Sequence, residues 1–175
     1  MPDIVKLKKQ VTIKQFTRKK LLVAILLNVI FNPIFCYFNF IQDKVLYLIE
    51  GYHSLGKMML AMAAFIPFMI TFDILWNARQ MSQKGEIDFV LDEYFEKNKS
   101  IFKLCGINSL YTWLCAFAVI MILHVSLPDQ YQFNSIKMAV VCGIIAGVYT
   151  IIFTLVSVRQ LKKHIIMPIK LPIAV

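Results

Sequence analysis

The chain has 175 residues, of which 59% are hydrophobic and only 17% charged, and its mean hydropathy is +0.67. A soluble domain carries roughly 45–50% apolar and about 25% charged residues, and so short a chain keeps too much surface exposed to hide the difference. Intrinsic disorder and a disulfide scaffold are excluded, a water-soluble enzyme is disfavoured, and an integral membrane protein remains.

Residues 1–20 form a basic arm holding Lys6, Lys8, Lys9, Lys14, Arg18, Lys19 and Lys20. The first apolar run, about 21–41, is uncharged and long enough to cross roughly 30 Å of hydrocarbon. Its basic lead is long and no small-residue cleavage site follows, so the segment is expected to remain as a helix, not to be removed as a signal peptide. Asn28, Asn32 and Asn39 fall on one stripe of it, and Pro33 predicts a kink. A short connection with Gly51, His53 and Gly56 leads to a second span, about 58–78, containing Pro67 and a single acid, Asp73.

Between the second and third spans, Ile87, Val90, Leu91, Tyr94 and Phe95 recur at helical spacing, with Glu86, Asp88, Asp92, Glu93 and Glu96 elsewhere. This pattern predicts an amphipathic helix over 86–99. The third span covers about 104–127 and the fourth about 138–158, both uncharged and joined by a connection that opens on Pro128. A tail, 159–175, carries Arg159, Lys162, Lys163 and Lys170.

Lipid offers no partners to backbone amides, so spans of this length must be helices, and none alternates as barrel strands do. The expected fold is all-α, a polytopic bundle of four transmembrane helices over 21–158 arranged as two hairpins. Sixteen of the 19 Lys and Arg residues fall on the side of the termini and the middle connection, against Lys44, Lys57 and Lys137 on the other. By the positive-inside rule both termini are expected in the cytoplasm, in the inner membrane if the source is bacterial. The net charge of +9 then reads as attraction of the basic arm to anionic lipid headgroups, not as nucleic-acid binding.

A shift of 80 residues places Lys19, Asn28, Lys57, Met58, Leu75, Arg79 and Gln80 on Lys99, Asn108, Lys137, Met138, Leu155, Arg159 and Gln160. This is a weak sign of a tandem repeat of the two hairpins.

Polar groups inside spans are costly and carry most of the functional signal. At 1.5 Å per residue, Asp73 lies about 9 Å inside Arg79, and Asn28 about 12 Å inside Lys20. Asn108 and Thr154 come out at about 7–8 Å inside Lys103 and Arg159. One polar group per helix, with Asn32 beside them, thus forms a candidate inner layer in which Asn28 or Asn108 donates to Asp73. Interhelical polar glue is the leading reading of this layer, and a proton or ion site centred on Asp73 the alternative. Ala139, Gly143 and Gly147, spaced by four, form a small-residue stripe suited to close helix contact within the bundle or with a neighbouring subunit.

The search for chemistry is short. Cys36, Cys105, Cys115 and Cys142 lie within spans and make no CxxC, which argues against a disulfide-generating oxidoreductase. His53 and His124 lack metal-site spacing, and His164 reads as surface charge beside Lys162 and Lys163. No phosphate loop, zinc-protease helix or nucleophile elbow occurs, so no enzyme, cofactor or metal is expected. The function expected first is that of an accessory or assembly component acting through helix contacts, alone as a homo-oligomer or with a membrane partner. Second comes a small oligomeric transporter or channel using Asp73, and third a membrane enzyme with an unfamiliar site.

Overall fold

A computed structural model describes residues 10–41, 45–51, 54–92, 95, 97–127 and 132–168. Four long helices account for most of them: α1 (Ile13–Phe40), α2 (Leu55–Gln83), α3 (Asn98–Ser126) and α4 (Ser135–Lys162). All four are long and apolar enough to cross a membrane, and they pack as a bundle. Each contains its expected span, except that α3 stops one residue short at Ser126 and α1 at Phe40. Every helix also runs past the apolar run at its basic end. Hydropathy marks where charge begins, whereas intrahelical hydrogen bonding continues into the headgroup region. At 1.5 Å per residue, the 28 residues of α1 span about 42 Å, the thickness of a bilayer with its interfaces.

The ends are set by local chemistry. Thr12 caps α1 through a box in which its hydroxyl accepts from Gln15 N and the Gln15 side chain accepts from Thr12 N. Ser54 and Asn134 cap α2 and α4 by a single bond each, accepting from Lys57 N and Lys137 N. Gly85, at φ 63°, takes the left-handed turn that ends α2.

The helices are not arranged in sequence order. α1 packs chiefly on α4, α4 on α2, and α2 on α3, so each hairpin lays its first helix on the other hairpin's second. Half of the α2 span is buried but only 6% of the α1 span, which makes α2 central and α1 peripheral. α2 and α4 begin 80 residues apart, at Leu55 and Ser135, whereas α1 and α3 begin out of that step, at Ile13 and Asn98.

The basic end differs from expectation. An amphipathic helix is predicted over 86–99, but the described residues there form a strand, β1 (Phe89–Leu91), and α3 starts at Asn98; Glu93, Tyr94 and Glu96 lie outside the described residues. β1 pairs antiparallel with β2 (Ile165–Pro168) from the tail. Just ahead of β1, Val11 bridges Ile87, with Val11 N donating to Glu86 O at 2.9 Å. Ile87, Phe89 and Leu91 are buried, while Asp88 and Val90 are not, a period of two. Phe89, absent from the helical stripe, carries that alternation. The arm, the middle connection and the tail are thus knitted together beneath the bundle. At the opposite end Leu46 and Phe133 exchange backbone hydrogen bonds of 3.0 and 2.8 Å, which ties the two outer connections to each other.

Candidate functional site

Asp73, on the α1-facing side of α2, forms an ion pair with Lys20 of α1 at 2.7 Å. Its other carboxylate oxygen accepts from Asn77 Nδ2, also at 2.7 Å. The Lys20 side chain is 21% exposed and that of Asp73 53%, so the acid faces outward between two helices and is neutralised there. A long lysine stem lets the ammonium reach this depth from the basic end.

The expected layer resolves into three separate groups. Neither Asn28 nor Asn108 donates to Asp73. Asn28 Nδ2 donates to Ala24 O of its own helix at 2.9 Å, and Asn32 Nδ2 donates back to Asn28 O and Oδ1. Asn39 does the same with Phe35 O. The i to i−4 carbonyl is the nearest acceptor on a helix, so these amides satisfy themselves within α1. Asn108, by contrast, joins three helices. Its Nδ2 donates to Thr71 Oγ1 of α2 at 3.0 Å and to Gln160 Oε1 of α4 at 3.2 Å, and its Oδ1 accepts from Gln160 Nε2 at 3.0 Å. Ser157 completes the cluster through Thr71 at 3.1 Å. Thr154 is buried nearby with its hydroxyl unpartnered. Asn28 and Asn108, which the 80-residue shift equates, therefore do different work.

Thr71, Ser157 and Gln160 were not singled out by sequence as polar-layer members. Short hydroxyls in spans are common, and only the helix order α3–α2–α4 brings these together. Gln160 did stand among the repeat identities, but there as a residue outside the fourth span.

The small-residue stripe faces α1. A Cβ on Gly143 would meet Pro33 Cγ at 2.5 Å, and one on Gly147 would meet Val29 Cγ2 at 3.1 Å. Pro33 therefore packs on a glycine of α4, which lets the two backbones approach closely. One contact was invisible in the sequence. Cys36 and Cys142, both fully buried, meet thiol to thiol across this same α1–α4 seam. Their partnership follows from the antiparallel register that also sets Pro33 on Gly143 and brings Ser135 Oγ to Phe40 O at 2.7 Å.

His53 lies outside the described residues, and His124 is exposed near the end of α3. His164 is not simply surface charge. Its Nδ1 lies 2.8 Å from Asp92 Oδ2 and its ring 4.8 Å from that of Phe95, which ties the tail to the end of β1.

Two cavities open along the α1–α2 face. One of about 400 Å³ has apolar walls, including Val23, Leu27, Phe65 and Met69, with Lys20 and Asp73 at its basic end. Another of about 280 Å³ continues from it toward the basic end, where Lys19, Lys20 and Asn77 line it together with Val11, Phe16 and Met81. In comparisons with protein-family models, curated proteins and solved structures, nothing matches this chain.

Proposed function

We propose that the protein is a non-enzymatic membrane component that acts through helix contacts, as an accessory or assembly subunit. The observation that carries this reading is a ridge on the outer half of α1. Phe31, Phe35 and Phe38, at i, i+4 and i+7, are 62%, 66% and 68% exposed, on a helix that otherwise touches mainly α4. The glycines of α4 are occupied inside the bundle, so this aromatic ridge replaces the small-residue stripe as the contact surface for a second copy or a membrane partner. In the same proposal both termini face the cytoplasm, and the basic arm lies against anionic headgroups.

The test is a photoreactive phenylalanine placed at Phe35 in native membranes, with the exposed α4 position Ile144 as control. A protein adduct of discrete mass from position 35 and lipid adducts alone from 144 are expected. Absence of any protein adduct from positions 31, 35 and 38 contradicts the reading.

A second reading, a small transporter or channel with Asp73 as its proton- or ion-coupling residue, draws on a different observation. Asp73 borders the larger of the two cavities, and Thr154, buried in α4, has an unpartnered hydroxyl. Under it, Asp73→Asn abolishes gradient-driven uptake in proteoliposomes; uptake that survives the substitution removes Asp73 from any mechanism.

A further inference from the structure

Spans of α1 and α2 stand side by side on the surface of α4 without closing on each other, and of the two cavities between them the one nearer the basic end carries a second lysine, Lys19. The upper trough is hydrocarbon-lined, and it opens sideways at Phe65 and Met69, which are 69% and 59% exposed. From Lys20 to Leu27 it follows α1 for about 10 Å into the membrane. The lower cavity sets Lys19, Lys20 and the Asn77 amide among the apolar side chains of Val11, Phe16 and Met81, and it shares Lys20 and Val23 with the trough. Their volumes, about 400 and about 280 Å³, fall within or just below the range of sites that hold small organic ligands. Asp73, braced by Asn77, holds the Lys20 ammonium at the junction. Two lysines against one acid leave the junction with a positive excess.

We propose that this composite groove binds one molecule of an anionic glycerophospholipid. Its phosphate sits between Lys19 and Lys20, where charge-assisted hydrogen bonds from ammonium groups are strongest. One acyl chain lies in the trough along Val23, Leu27 and Met69. The order of parts along the groove, cation then hydrocarbon, is the order of parts in such a lipid as it stands in a leaflet. A partner helix would fill the trough but leave the lysine cavity unmatched. A free phosphate would use the lysines and leave the trough empty. This inference goes beyond the accessory reading and does not depend on it.

The experiment uses the purified full-length chain in mild detergent. Thermal unfolding is followed while phosphatidylglycerol, phosphatidylcholine or inorganic phosphate is added, and native mass spectrometry counts retained lipids. Phosphatidylglycerol is expected to raise the unfolding temperature and to be retained at one per chain, with the other two additions ineffective. Lys19→Gln, which leaves the Lys20–Asp73 pair in place, is expected to weaken retention about fivefold. Leu27→Trp, which fills the trough without touching the charges, is expected to abolish retention while helix content is unchanged. Equal stabilisation by phosphatidylcholine, reproduction of the effect by phosphate alone, or unaltered retention in both variants overturns the proposal.

Discussion

Gly143 and Asn108 do opposite kinds of work in holding the helices together. Gly143 works by lacking a side chain. Its hydrogen faces the rigid ring of Pro33, which cannot swing away as a flexible side chain could. Gly143→Ala is therefore expected to cost about 1–3 kcal/mol in thermal or denaturant unfolding in detergent. Pro33→Ala in the same chain, which removes the clashing Cγ, is expected to recover most of that loss, and a double-mutant cycle reads the coupling. Additive losses would mean that the two residues do not meet. Asn108 works by hydrogen bonding to α2 and α4 at once. Asn108→Leu is expected to cost roughly 0.6–2 kcal/mol for each interhelical bond lost, with Gln160→Leu adding little once Asn108 is gone. A full additional loss in the double variant would separate the two residues.

At the scale of elements, the four spans were legible because lipid imposes a simple rule on length and charge, and every expected span lies almost wholly within a helix. The middle connection was misread because two periodicities compete in it. Ile87, Val90, Leu91 and Phe95 fit a helix, but Ile87, Phe89 and Leu91 fit a strand, and pairing partners decide between them. Those partners, Val11 and Ile165 to Pro168, are remote in sequence, so no local pattern contained the answer. The same remoteness hid the Asn108 cluster, whereas Asp73 was conspicuous because an acid stands out in an apolar run. Its partner, Lys20, belongs by sequence to the basic arm, and no local pattern points it at Asp73. The end cap yields its own prediction. Ile87 is fully buried, and Ile87→Ala is expected to destabilise by about 2–5 kcal/mol. His164→Ala, which removes the side-chain link to Asp92 and leaves the Asp92 N to His164 O bond, is expected to speed hydrogen exchange at the amides of β1 and leave the span amides protected. Unchanged exchange at Val90 would show that β2 holds without the His164 contact.

At the scale of the molecule, the packing order α1–α4–α2–α3 explains why the surface is divided as it is. α2 is enclosed by α3 and α4 and gathers the interior polar groups, while α1 lies chiefly against α4 and presents both the phenylalanine ridge and one wall of the groove. A bundle in sequence order would bring α1 against α2 and close the cavities between them. Everything assigned to the α1 face therefore rests on the α1–α4 seam. Disulfide trapping in native membranes tests that seam directly, with Cys36, Cys105, Cys115 and Cys142 first replaced by alanine. Val29→Cys with Gly147→Cys places two thiols where a Cβ at 147 already lies within 3.1 Å of the Val29 side chain. The pair is expected to cross-link under mild oxidation, whereas Val29→Cys with Tyr111→Cys of α3 is not. Cross-linking of the α1–α3 pair, with none between α1 and α4, would contradict the arrangement.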